Sequence, residues 1–295
     1  VYPPKFDYVA PTTVDEALGL LAERGEDGKI LAGGQSLIPV LKLRFNQPEV
    51  LIDINGVEGL TETEETDDEI VIGALARHNG LAYMDMMESR FPIIAEAGKL
   101  VADPLVRNLG TIGGSLAHAD PQADWGSVML AMNASFVIQK KGASRTQAAT
   151  DFFQGIFTTS LETDELLTHI RVPKPTGPSG GAYLKMERKV GDFATAAVGV
   201  HLEMDGAHIK TCGIGLTGVG VQNLKAVEAE NALAGQAPSP ELFAEAAELA
   251  AKITEPKDDV RGTAAFKRNV VKTFVVRGLE RAVAFARNGA QSGAS

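Results

Sequence analysis

The sequence predicts an α+β chain in three parts, on three observations. Helix and strand periodicities alternate through the first third. The segment Pro173-Lys174-Pro175-Thr176-Gly177-Pro178-Ser179-Gly180-Gly181 holds three prolines and three glycines in nine residues and reads as a linker. After it, strand signals come first and alanine-rich helices follow. At 295 residues the chain is longer than one compact core of usual size, so subdomains of about 100 residues are expected. The expected divisions are residues 1–56, 57–177 and 178–287, with a flexible tail over 288–295.

Each element has a local reason. Thr13-Val14-Asp15-Glu16 is a capping box, and Val14, Ala17, Leu18 and Leu21 then line one helix face as far as Arg24. Lys29 to Ala32 is a short buried strand running straight into Gly33-Gly34-Gln35-Ser36. Leu37 to Arg44 resumes as helix, with Pro39 near its start, where proline is tolerated. Glu49 to Ile54 and Ile70 to Leu75 are strand-like, and Gly80 to Ser89 and Ile93 to Ala102 have helical spacing. Asp103 to Pro121 reads as a long irregular loop. Asp124 to Met132 follows as helix, with Ser135 to Lys140 and Leu166 to Val172 as strands. In the last part Ala182 to Arg188 and Ala196 to Met204 flank a turn, and Asp205-Gly206 signals a hairpin into Ala207 to Leu216. Helices are expected over 224–234, 240–253 and 263–287.

Composition narrows the function classes. The lone cysteine, Cys212, excludes a disulfide framework, a zinc ribbon and a four-cysteine iron–sulfur cluster held by this chain alone. It reads as a small buried hydrophobe in a strand. No apolar run approaches the ~20 residues that span a bilayer, and the N-terminus lacks a signal peptide's apolar core, so a cytoplasmic chain is expected. The net charge is −10, and seven acidic residues lie between Glu58 and Glu69 with no basic one, which suits a solvated hairpin tip. Residues 252–287 are basic at helical spacing and suit a solvated helix face. Without a basic stripe studded with aromatics, nucleic-acid binding has no support.

Two Gly-Gly pairs carry the chemistry. Adjacent glycines allow positive φ and leave no Cβ in the way, so successive N–H groups can converge on an anionic oxygen; each pair could equally be a plain turn. Gly33-Gly34 is followed by Gln35-Ser36, and Gly113-Gly114 by Ser115, which add amide or hydroxyl donors. Two such loops suit a pyrophosphate. Neither has the spacing of a Rossmann fingerprint or a P-loop. His118 and Asp120 could serve acid–base chemistry or organise their loop. No catalytic constellation and no metal-ligand spacing stands out among the five histidines, His78, His118, His169, His201 and His208. On the residues alone, an N-cap role is one alternative for Asp124, and Lys185 reads as a solvated strand lysine.

Taken together, Ala32-Gly33-Gly34-Gln35-Ser36, Thr111-Ile112-Gly113-Gly114-Ser115, Ala119-Asp120-Pro121 and Asp124 resemble the FAD-binding medium subunit of the molybdenum hydroxylases. That family includes aerobic carbon monoxide dehydrogenase and the flavin portion of xanthine dehydrogenase. The resemblance covers nearly the whole chain, from Phe6-Asp7-Tyr8 through Ile170-Arg171-Val172-Pro173 to the stretch Tyr183-Leu184-Lys185 and Arg188. It implies an FAD-binding fold of the vanillyl-alcohol-oxidase type, two α/β subdomains clasping FAD, plus a C-terminal antiparallel sheet with a helical cluster.

The resemblance also implies residue roles. Ile30, Leu31, Ala32, Gly33, Gly34, Gln35, Ser36 and Leu37, with Thr111, Ile112, Gly113, Gly114 and Ser115, would cradle the pyrophosphate of a non-covalent FAD through backbone amides. Asp124 would bond ribityl or ribose hydroxyls, and Lys185 would lie beside the flavin or its phosphates. Val101 and Leu167 would make apolar contacts, in a register uncertain by one residue between Leu166 and Leu167, and Phe193 would lie near the flavin ring, where stacking and core packing both remain open. Gln35 and Ser115 stand where relatives often carry His and Asn; both keep hydrogen-bonding capacity.

The implied function is electron transfer. The chain would accept electrons from the [2Fe-2S] clusters of a small subunit and pass them to an external acceptor. A large subunit with the molybdenum cofactor would oxidise the substrate, with carbon monoxide ahead of aldehydes and N-heterocycles. A dimer of heterotrimers, cytoplasmic or held at the inner face of the membrane through the complex, is the implied assembly. A stand-alone flavin reductase of the same fold, and a binding or assembly module without catalysis, are the competing readings.

Overall fold

The computed structural model describes residues 2–292. Its first 53 residues contain β1 (Asp7–Val9), α1 (Val14–Arg24), β2 (Gly28–Leu31), α2 (Leu37–Lys42) and β3 (Val50–Asp53). The strands form a parallel sheet in the order β1-β3-β2. Thr13 caps α1 reciprocally: its hydroxyl accepts from the Glu16 N–H at 3.2 Å, and the Glu16 carboxylate accepts from the Thr13 N–H at 3.3 Å. The apolar face so oriented, Ala17, Leu18 and Leu21, packs with Val50 and Ile52 of the sheet.

The middle of the chain runs through β4 (Thr63–Glu65), β5 (Glu69–Gly73), α3 (His78–Ala82), α4 (Asp85–Arg90), α5 (Pro92–Leu100), α6 (Pro104–Leu109), α7 (Ile112–His118) and α8 (Asp124–Ala131). It continues through β6 (Ser135–Lys140), β7 (Ala143–Ala148), α9 (Ala149–Phe152), β8 (Phe153–Gly155), β9 (Thr158–Thr159) and β10 (Leu166–Pro173). Its five-stranded antiparallel sheet has the order β4-β5-β10-β6-β7. The acidic stretch is the β4–β5 hairpin with its approach, and it is only partly bare. Glu65 bonds Arg90 and Lys174, which hold its carboxyl down at about 2, and Glu69 pairs with Arg171.

Two expectations are corrected here. Residues 103–121 are not an irregular loop but carry two short helices. α6 starts on the Asp103 cap with Pro104 in its first turn, and α7 starts on the Thr111 cap, whose hydroxyl accepts from the Gly114 N–H at 3.1 Å. Gly113 and Gly114 lower the intrinsic helix propensity of α7, and burial of Ile112 and Leu116 supplies what propensity lacks. The helix expected over 80–89 is two, α3 and α4, separated at Tyr83–Met84.

The last part comprises β11 (Ser179–Met186), β12 (Ala196–Asp205), β13 (His208–Thr217), β14 (Leu224–Lys225), α10 (Val227–Leu233), α11 (Pro240–Lys252) and α12 (Ala264–Ser292). The sheet is antiparallel in the order β11-β12-β13-β14. The tail expected from residue 288 is helical as far as Ser292, and residues 293–295 lie outside the described residues. Alternation along β12 sends Val198, Val200 and Leu202 into a core shared with α11 and α12, while Ala197 joins the core of the middle part. The sheet is therefore covered on both faces, by α10 and α12 on one side and by α5 and α8 on the other.

The α8 side is packed backbone to backbone. A Cβ on Gly213 or Gly215 of β13 would lie well inside 3.0 Å of the Ala131 or Ser127 backbone. Only glycine lets α8 come this close. Gly215→Val is expected to cost at least about 3 kcal/mol in urea unfolding or to leave the chain insoluble. Gly80→Ala, where a Cβ meets nothing within 4 Å, is expected to stay within about 1 kcal/mol of the parent.

Candidate functional site

The two glycine segments, 80 residues apart in sequence, meet in space. A Cβ on Gly33 would fall inside 3.0 Å of the backbone of Leu109 and Gly110, just ahead of the second segment. Ile30 and Leu31 close β2, Ala32 to Ser36 form the connection, and Leu37 opens α2. Gly34 takes φ 70°, the left-handed region that favours glycine. Among the described residues, no N–H of residues 33–37 donates to a backbone carbonyl; the first bond of the helix runs from Ile38 N–H to the Gly34 carbonyl. Five successive half-buried amides are thus left with donors to spare.

The second segment differs from the expectation that it, too, presents a row of free amides. The Ile112 N–H donates to the Ala76 carbonyl at 3.0 Å and the Gly113 N–H to the Ala74 carbonyl at 2.9 Å. Gly114 and Ser115 donate to Thr111. Gly113 serves a different need: its missing Cβ lets α7 lie against Ala74, where a methyl group would be inside 3.0 Å. Gly114 is the exposed member, and a Cβ there would come to 3.8 Å from Ala32.

A second group of expected residues gathers where α8 meets β11. Asp124 is the first residue of α8, not its cap; Ala123 holds that position. Its carboxylate is buried and accepts from the Tyr183 hydroxyl at 2.7 Å and from the Lys185 Nζ at 3.0 Å. Lys185 is not solvated: its side chain is 1% exposed, and Nζ also donates to the Leu100 carbonyl at 2.9 Å, with Glu187 at 3.6 Å. Burial pushes the Asp124 carboxyl up, and the Lys185 charge pulls against it. The Tyr183 phenol is raised well above its usual value by burial and then by the Asp124 charge.

Val101, beside this pair, is half-buried at the end of α5. Arg107 holds its turn, donating through Nη1 to the Val101 and Ala102 carbonyls at 3.0 and 2.8 Å. Ala102 takes φ 42° there. Leu167 lies in the middle core, whereas Leu166 packs with Ile30 and Ala32, on the side of the first glycine segment. Strand alternation puts the two leucines on opposite faces of β10. Phe193 is 46% exposed and so is not core; the loop carrying it is held by Asp192, which bonds Arg188 and Arg261 at 3.0 Å each. Asp120 organises its turn by accepting from the Gln122 N–H at 2.8 Å, and His118 stands against Phe157.

Several participants were not singled out in the sequence. Trp125 donates through Nε1 to His78 Nδ1 at 2.9 Å, tying α8 to the backbone that leads into the second glycine segment. Burial, with Arg77 and Arg107 nearby, takes His78 down to about 4, so it is neutral and free to accept. Tyr183 was legible in principle, since it lies two residues from Lys185 and so on the same strand face. Asn55, Arg77 and Arg107 had no such signal. The residues fit an anionic dinucleotide: a row of unspent amides at 33–37, an exposed Gly114 with no Cβ to block approach, and, separately, a buried lysine at the meeting of α8 and β11.

The chain belongs to the family of FAD-binding domains in molybdopterin dehydrogenases, whose model matches residues 4–175; residues 181–282 match the C-terminal domain of carbon monoxide dehydrogenase flavoproteins. Among curated relatives, it is 42% identical over 280 residues to the carbon monoxide dehydrogenase medium chain of Hydrogenophaga pseudoflava, covering 95% of this chain and 98% of that one. It is 39% identical over 291 residues to subunit alpha of the 6-hydroxypseudooxynicotine dehydrogenase complex of Paenarthrobacter nicotinovorans, covering 97% of each. Among solved structures, it superposes with a TM-score of 0.93 on carbon monoxide dehydrogenase from Hydrogenophaga pseudoflava lacking the Mo-pyranopterin moiety, at 44% identity and covering 96% and 99% of the two chains. The FAD-binding architecture and the flavoprotein C-terminal sheet expected from the resemblance are therefore those of the chain.

The Asp124–Lys185 pair can be tested directly. Lys185→Met leaves a buried carboxylate without its counter-charge and is expected to cost about 3–5 kcal/mol in chemical unfolding. Replacing both, Asp124→Asn with Lys185→Met, is expected to recover most of that loss.

Proposed function

We propose that the chain is the FAD-carrying medium subunit of a molybdenum hydroxylase whose substrate is carbon monoxide. A small subunit with [2Fe-2S] clusters would deliver electrons, a large subunit with the molybdenum cofactor would oxidise the substrate, and an external acceptor would take the electrons away. The assembly would be a dimer of heterotrimers, on the cytoplasmic side. Among the described residues, no helix is long and apolar enough to cross a membrane, and no group of three or more His, Cys, Asp or Glu could hold a metal ion.

The observation that carries the reading is the row of free amides at residues 33–37, in a chain of this family that also buries Lys185 against Asp124. Bound FAD supplies a redox centre that exchanges electrons singly or in pairs. The chain's own residues bind and orient it. The amides of residues 33–37 would hold the diphosphate, with Ile30, Leu31 and Ala32 as the wall leading to them. The exposed edge of the second segment, Thr111 to Ser115, would close the opposite side. Asp124 would keep Lys185 in place, while Val101 and Leu167 would supply apolar surface and Phe193 would cover the ring. The units acting in this way would be residues 1–56, 57–177 and 178–287.

Reconstitution tests the proposal. The isolated chain loaded with FAD is expected to keep its oxidised visible spectrum under carbon monoxide without oxygen. Assembled with the small and large subunits, the same flavin is expected to bleach on adding the gas. Rapid bleaching of the isolated chain by NADPH would favour a stand-alone reductase instead. Bleaching of the assembly by an aldehyde or N-heterocycle but not by carbon monoxide would move the substrate to another branch of the family.

A further inference from the structure

The two glycine segments touch at Gly33, yet that contact alone does not fix how far apart their free edges stand. A short relay of side chains does. Asn55, just beyond β3, donates from Nδ2 to the Ala32 carbonyl at 2.8 Å. Arg77, just ahead of α3, donates from Nη2 to the Asn55 Oδ1 at 2.7 Å and from Nη1 to the Leu109 carbonyl. One arm of the relay thus grips the first glycine segment and the other the residue leading into the second. Asp53 anchors the centre: its Oδ1 accepts from the Asn55 N–H at 2.9 Å and from Nδ2 at 2.6 Å, and its Oδ2 accepts from the Tyr8 hydroxyl at 2.6 Å. Burial alone would raise the Asp53 carboxyl, but the bonds from Tyr8 and Asn55 and the Arg77 charge hold it below its usual value.

We infer that Asn55 and Arg77 are positioning residues, a clamp that sets the separation of the two glycine segments and with it the affinity for FAD. The inference rests on the FAD-binding reading above. Three features single the pair out. Asn55 is exposed and Arg77 half-buried, so neither is needed to fill the core. One carbonyl they hold, Ala32, lies in the first glycine segment, and the other, Leu109, ends α6 just ahead of the second. The arrangement also works as a unit, because among the described residues the side-chain bonds of Arg77 go to Asn55 and Leu109, and Asn55 carries the link on to Ala32. Planar guanidinium geometry suits two acceptors on different elements, which a lysine ammonium at the end of a flexible stem does not reproduce.

The test is an FAD titration of the full chain, read by visible absorbance and flavin fluorescence, in the parent, Asn55→Ala, Arg77→Gln, Arg77→Lys and the double variant N55A/R77Q. Each of N55A and R77Q is expected to weaken FAD binding about tenfold or more, the scale of a hydrogen bond to a charged group. The double variant is expected to lose no more than the weaker single, since one broken link already opens the clamp. Arg77→Lys, keeping the charge and one bond, is expected to fall between R77Q and the parent. Unfolding midpoints of the FAD-free variants are expected to match the parent. Parent-like affinity in the single variants, additive losses in the double, or affinity losses that track losses in FAD-free stability would each overturn the clamp. A parent chain that does not bind FAD would overturn the reading beneath it, and the clamp with it.

Discussion

The approach of Gly33 to the backbone of Leu109 and Gly110 is the constraint on which the site depends. It brings together a connection from the parallel sheet and the start of α7, and it leaves no room for any side chain between them. A carbonyl-to-amide repacking forced there would move both segments at once, because proteins this closely packed do not absorb an inserted methyl group by local give. The geometry explains why two glycine pairs occur in one chain and why they are not equivalent. The first pair frees amides. The second spends its amides on Ala74, Ala76 and Thr111 and uses its glycines for close approach.

The other half of the site is held by α8. This helix lies against β13 through Gly213 and Gly215, meets the middle sheet's core through Trp125 and Val128, and presents Asp124 to β11 at its first turn. Lys185 and Asp124 are both buried and bonded to each other at 3.0 Å, so each side chain is held by the other. Removing either partner would leave the other buried without its hydrogen-bonded counterpart. Lys185 and Arg107 together hold the carbonyls of Leu100, Val101 and Ala102, so the turn that ends α5 is fixed by two cations from different elements. The proposed cofactor contacts at Asp124, Lys185 and Val101 and the junction between the middle and C-terminal sheets would in this way be one piece of structure.

Much of this was legible in the sequence. The Thr13 box, the Asp205-Gly206 hairpin and the long strands of the last sheet follow from local rules that burial did not override. α6 and α7 were not legible as helices, because Gly110, Gly113 and Gly114 read as breakers while the burial that rescues them is tertiary. Asp124 and Lys185 were placed individually through the resemblance, but their bond to each other spans 61 residues and leaves no local trace. Asn55, Arg77 and Arg107 were missed for the same reason: an arginine that grips backbone carbonyls carries no pattern distinguishing it from a solvated one. Cys212 gained in meaning. A chain with one buried cysteine cannot by itself hold a four-cysteine cluster, so in the proposed assembly such clusters would have to be a partner's.

The central claim is that residues 33–37 hold the diphosphate through their amides while residues 112–115 do not. Hydrogen–deuterium exchange of the FAD-free and FAD-loaded chain separates the two directly. The amides of residues 33–37 are expected to exchange freely without FAD and to slow markedly on binding, while those of 112–115, already bonded within the protein, change little. FAD bound without slowing of residues 33–37, or with the protection gained instead at 112–115, would contradict it.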